Sequence, residues 1–92
     1  MPRVFKIGSY LVYFWIHEGM PLEPIHVNVA EKVPIQNATK IWITRNGRCI
    51  VSNNASRIPE RQLRIIMDVI EVRYKEIEKL WINKFGRITY YC

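Results

Sequence analysis

Ninety-two residues, 49% hydrophobic and 24% charged, suffice for one compact domain with one core and exclude a disordered chain or a second domain. A formal charge of +6, from 14 Lys and Arg against 8 Asp and Glu, favours nucleic acid, an acidic protein or an anionic surface as partner. Cys49 and Cys92 lie far apart with no ligand-like spacing, so neither a disulfide framework nor a zinc site is indicated, no cofactor is implied, and a reducing cytoplasm fits.

Val4-Phe5-Lys6-Ile7, then Gly8-Ser9, then Tyr10 to His17 reads as two strands joined by a tight turn. The second is apolar on both faces, as expected for a central strand. Its uncharged run from Tyr10 to Ile16 is far short of the ~20 apolar residues of a membrane span, and no small-residue cleavage site follows, so a soluble, unprocessed chain without a membrane partner is expected. Glu18 to Pro24 is a loop fixed by two prolines.

Ile25 to Ala30 forms the next strand. Alternation sends Val27 and Val29 toward a core and sets His26 and Asn28 side by side on the other face, with alternate Cα atoms about 6.5–7 Å apart. That spacing lets the pair flank a small anion such as a phosphodiester, and imidazole is the side chain best suited to proton transfer near neutrality. The plain alternative is a His26 that only hydrogen-bonds to a loop.

After a loop over Lys32 to Asn37, Thr39 to Arg45 alternates again, and Asn46-Gly47 suits a two-residue type I′ turn. Arg48 to Val51 would pair back with Arg45 facing Arg48, crowding two guanidinium groups at one hairpin end unless an anion sits between them. Ser52 to Ser56 reads as a polar linker.

Pro59 suits the first helical position, with Glu60 in the first turn. Leu63, Ile66, Ile70, Tyr74, Ile77 and Trp81 then form an apolar stripe, closed by Gly86. So long a run either continues or bends near Glu71 to Tyr74, and Arg87 to Cys92 is a last strand or a loose end. The expectation is a single α+β domain over 1–92: an antiparallel sheet of about five strands within 1–52, a long helix or helix pair over about 59–85 packed on one face, and a short tail over 87–92.

The order of Val4-Phe5, Tyr10, Tyr13-Phe14, Glu18-Gly19, Pro24, His26-Val27, Val29, Ala38, Lys40, Trp42, Pro59, Leu63, Ile66, Trp81 and Phe85-Gly86, behind Met1-Pro2, resembles a bacterial family known only as a domain of unknown function, the 4160 family. The resemblance implies the toxin half of a toxin–antitoxin pair, with a cognate antitoxin protein as partner. That family usually reads P-x-H-V-H-V, so Asn28 stands where a second histidine is customary. Asparagine holds a hydrogen bond but exchanges no proton near neutrality.

For a small basic toxin, metal-independent RNA cleavage is the chemistry best supported. His26 is the candidate acid or base, and a histidine at position 28 would be its partner. Lys40, Arg45 and Arg48 are candidate phosphate contacts, with Arg3 and Lys6 as further ones. Arg57, Arg61 and Arg64 share a helix-start face suited to an acidic partner or RNA backbone, or simply to solvent. Trp15, Trp42 and Trp81 read as core, with Trp42 the candidate for base stacking. The rival readings are a non-enzymatic protein-interaction module, and a metal-dependent hydrolase using His17 and His26.

Overall fold

The computed structural model describes residues 3–15 and 22–92, the side chain of Arg3 excepted. Strands β1 (Arg3–Ile7), β2 (Tyr10–Tyr13), β3 (His26–Glu31), β4 (Thr39–Ile43) and β5 (Cys49–Asn53) precede helices α1 (Glu60–Val72) and α2 (Tyr74–Phe85). The strands pair antiparallel in sequence order, β1 to β5, as a five-stranded meander. This is the expected α+β architecture, with the helix pair rather than one continuous helix.

Alternation along the strands divides the sheet into two faces. Val12, Val27, Val29, Ile41 and Ile43 face the helices and pack with Ile58, Ile66, Ile70, Ile77 and Trp81. The opposite face carries a smaller cluster of Leu11, Tyr13, Ala30 and Ala38, with Trp15 against it. Neither helix is long and apolar enough to cross a membrane.

The helical run breaks at Arg73, whose φ of −108° leaves the helical region. A straight helix from Glu60 to Phe85 would measure about 39 Å, longer than the 33 Å greatest extent of the molecule. The β-branched residues Val69, Ile70 and Val72 make that stretch the weakest in helix propensity. Pro59 caps α1 from outside rather than occupying its first turn, and Gly86 ends α2 in the left-handed region at φ 82° with its N–H donating to the Ile82 carbonyl.

Several boundaries differ from the sequence reading. The β2 ladder ends at Tyr13, and the expected continuation from Ile16 to His17 lies outside the described residues, as do Met1-Pro2 and Glu18-Gly19. The β1–β2 connection is the expected two-residue turn, Gly8-Ser9, with Gly8 at φ 59°. The second hairpin is not. Its register is Ile43 opposite Cys49 and Trp42 opposite Ile50. Thr44 and Arg48 close a three-residue loop: Thr44 N–H donates to the Arg48 carbonyl (2.8 Å), Gly47 N–H to the Thr44 carbonyl (3.0 Å), and Arg48 N–H to Thr44 Oγ1 (3.0 Å). Gly47 alone takes positive φ, at 79°, the pattern of a type I turn followed by a left-handed residue. Arg45 and Arg48 are therefore not cross-strand partners, and Arg45 lies over the Tyr90 ring instead.

The stretch from Ser52 to Ser56 is no loose linker. Ser52 and Asn53 belong to β5. Ser56 Oγ accepts from Thr39 N–H and donates to the Val29 carbonyl, while Thr39 Oγ1 donates to Asn54 Oδ1 and accepts from Ser56 N–H. Asn54 also bonds both the N–H and the carbonyl of Ile58. The tail is not a strand, but it is tied down: Ile25 N–H donates to the Thr89 carbonyl and Arg45 N–H to that of Cys92. Tyr91 stacks on Trp42 with ring centroids 4.9 Å apart.

Candidate functional site

Asn28 lies on the face of β3 turned away from the helices, and His26, at the start of the strand, lines the same cleft while its ring also reaches Trp81 of α2. Tyr13 of β2 and Lys40 of β4 stand opposite Asn28 on either side, Trp42 stands opposite His26, and Asn53 of β5 stands opposite Lys40. One row of side chains, Tyr13, Asn28, Lys40 and Asn53, thus crosses four strands. The loop after β3 folds over this face because Tyr13 Oη donates to the Ile35 carbonyl (2.9 Å) and accepts from Ile35 N–H (3.1 Å). Burial raises the Tyr13 pKa, so the phenol keeps the proton that the first bond requires.

Between that loop and the β5 exit lies a cleft of about 360 Å³. His26, Asn28 and Lys40 line it together, with Gln36, Asn37, Asn53 and Ala55 as walls and Trp15 and Glu23 also in its lining. Of the residues singled out in sequence, His26, Asn28 and Lys40 share one concavity.

His26 and Asn28 are more enclosed than an open strand face would leave them, at 3% and 7% exposure. The imidazole meets the edges or faces of Trp42 and Trp81 at ring-centroid distances of 5.7 and 5.3 Å. Its Nδ1 lies 3.0 Å from the Pro24 carbonyl. A carbonyl only accepts, so Nδ1 carries the proton in this contact, and whenever the ring is neutral its lone pair is at Nε2. The loop bond expected of a purely structural histidine is thus present, in a ring that also lines the cleft.

Lys40 Nζ donates to Glu23 Oε1 and lies 4.3 Å from the centroid of the Trp42 ring. That hydrogen bond holds the Glu23 carboxyl below its usual range; partial burial opposes the shift, and the charges of His26 and Lys40 reinforce it. Glu23 is ionised at neutral pH, so the ion pair brings no net charge to the cleft. Acceptor and donor stand side by side in its lining.

The remaining predicted residues lie elsewhere. Arg45 and Arg48 are exposed beside the β4–β5 turn and do not line the cleft. Arg45 is separated from Lys40 by up to about 16 Å of extended chain. Lys6 is exposed on β1, opposite Leu11 and away from the cleft. Arg3 begins β1 opposite Tyr13, and its side chain is outside the described residues. Arg57, Arg61 and Arg64 are exposed at the start of α1, on the other side of the sheet, where Arg64 pairs with Glu60 at 3.7 Å. Trp81 is core, Trp15 is half-buried in the cleft lining, and Trp42 already carries Tyr91.

His17 lies outside the described residues, so the two-histidine metal reading has no geometry here. Among the described residues no group of three or more His, Cys, Asp or Glu side chains is placed to hold a metal ion. Sequence reasoning missed Glu23, Trp15, Gln36, Asn37 and Asn53 as cleft residues. The available signal was a carboxylate three positions before His26, and amide side chains clustered in the segments flanking β4 and β5.

A family model described as Domain of unknown function (DUF4160) matches residues 9–82. No curated protein and no solved structure matches the chain.

Proposed function

The chain belongs to the DUF4160 family, and we propose that it is the toxin component of a bacterial toxin–antitoxin pair and acts on RNA. The observation that carries the RNA reading is the meeting of His26, Asn28 and Lys40 in one polar cleft, in a protein of charge +6. The volume of about 360 Å³ falls within the range of small-ligand sites and suits one nucleotide of a single strand. The toxin assignment rests on the family resemblance, and the cognate antitoxin is the protein partner it implies.

The chemistry uses the lone pair that His26 carries at Nε2 in its neutral form, with Nδ1 donating to the Pro24 carbonyl. A base there takes the proton of a ribose 2′-hydroxyl as the 2′ oxygen attacks the adjacent phosphorus. The bond from phosphorus to the 5′ oxygen then breaks, and that oxygen needs a proton to leave. A histidine at position 28 would supply it. Asn28 donates a hydrogen bond without releasing a proton, so this chain binds RNA and cleaves it poorly.

The test compares the unaltered protein, Asn28→His and His26→Ala on total cellular RNA, with growth arrest measured in parallel. Asn28→His is expected to cleave about 100-fold faster than the unaltered protein, and His26→Ala to lose the residual cleavage. Equal and negligible cleavage by all three, together with no RNA binding, overturns the reading.

A further inference from the structure

Glu23 and Lys40 form the one charged pair among the described cleft residues, and that pair makes the site a poor phosphate clamp. A phosphate approaching Lys40 meets the Glu23 carboxylate held against it, so attraction and repulsion largely cancel. A nucleobase is uncharged and meets no such penalty. It presents donors and acceptors along one edge, which is what a lining of Asn28, Gln36, Asn37 and Asn53 amides can satisfy.

The order of groups on the pair selects among bases. An ammonium only donates, and an ionised carboxylate only accepts, through two oxygens. Side by side they display donor, acceptor, acceptor, the first acceptor being Oε1, which takes the Lys40 bond and keeps a second lone pair. The complementary edge is acceptor, donor, donor, which is guanine: O6 toward Lys40 Nζ, and N1–H and the N2 amino group toward the two oxygens of Glu23. Cytosine and adenine set an amino donor against the ammonium. Uracil places its O4 and N3–H well but turns O2 toward the second carboxylate oxygen. Glu23 remains 41% exposed within the pair, so an incoming edge can reach it.

Building on the RNA reading above, we infer that the cleft is a guanine-selective pocket, in which Lys40 and Glu23 together read the Watson–Crick edge of one unpaired guanine. His26 and Lys40 are diagonal neighbours across the β3–β4 pair, about 7–8 Å apart. That is the scale of the step from a base to its own ribose.

Fluorescence anisotropy with labelled hexaribonucleotides at fixed salt tests this. A hexamer containing a single guanosine is expected to bind at least about tenfold tighter than G-free hexamers, and inosine in its place, which lacks only the N2 amino group, to lose most of that gain. In Glu23→Gln the affinities for single-G and G-free hexamers are expected to converge. The inosine comparison needs no altered protein, so it stands even if the variant folds badly. Binding without base preference, or a preference unmoved by both inosine and Glu23→Gln, overturns guanine selection and leaves the RNA reading standing. No binding to any hexamer overturns both.

Discussion

Gly47, in the β4–β5 turn, lies directly against the ring of Tyr74, the first residue of α2. A Cβ at position 47 would fall 2.6 Å from Tyr74 Cε1, and the backbone there has φ 79°. Gly47→Ala therefore meets both a steric and a conformational penalty, and is expected to destabilise the fold by about 2–4 kcal/mol in urea denaturation. Adding Tyr74→Ala should relieve the steric part alone. The double variant is then less destabilised than the sum of the two single ones.

The Glu23–Lys40 pair links the cleft to pH. Because Lys40 holds the folded-state carboxyl of Glu23 below its ordinary value of 4.5, the group favours folding above that value, and the gain is lost as pH falls through the lowered one. The pair is partly exposed, so its worth is no more than about 1 kcal/mol at pH 7. Glu23→Gln is expected to be less stable than the unaltered protein at pH 7. Urea midpoints of the two should converge as the pH is taken well below 4.5.

Trp81 is fully enclosed, yet its Nε1–H has no hydrogen-bond partner among the described residues. An unmatched buried donor costs about 1–3 kcal/mol, which offsets part of what the indole contributes by packing on Phe14 and Phe85. Trp81→Phe removes the orphan along with some volume and should stay within about 1.5 kcal/mol of the unaltered protein. Trp81→Ala should cost about 3–5 kcal/mol. Thermal unfolding of both variants distinguishes this from a simple dependence on size.

The two thiols should differ sharply in reactivity. Burial, then the nearby Glu71 and Asp68 carboxylates, push the Cys49 thiol up to about 12, and its Sγ lies 3.7 Å from the Met67 carbonyl. Cys92 is exposed. Iodoacetamide at pH 8 is expected to modify Cys92 in the folded protein and to reach Cys49 only after denaturation, as peptide mass mapping would record.

The alternation from His26 to Ala30 and the spacing from Leu63 to Trp81 were enough to place the sheet, the helical layer and the pairing of His26 with Asn28 on one face. Side-chain period is a local property, and burial enforces it. The turn at Asn46-Gly47 departs from the two-residue form because Thr44, with its hydroxyl, pairs with Arg48 and lengthens the loop by one residue. The cleft walls were missed for a related reason. Gln36 and Asn37 reach the site through the bonds of Tyr13 to Ile35, and Asn53 and Ala55 through those of Ser56 to Thr39 and Val29. These contacts join residues 17 to 27 positions apart, and no local pattern announces them.

The Ser56 hydroxyl, caught between β3 and β4, also bears on thermodynamics. It settles the wall carrying Asn53 and Ala55 before any guest arrives, so association there forfeits little loop freedom, a loss otherwise of about 0.5–1.5 kcal/mol for each immobilised side chain. Ser56→Ala should therefore weaken capture mainly through a less favourable entropy, with the contacts themselves unchanged.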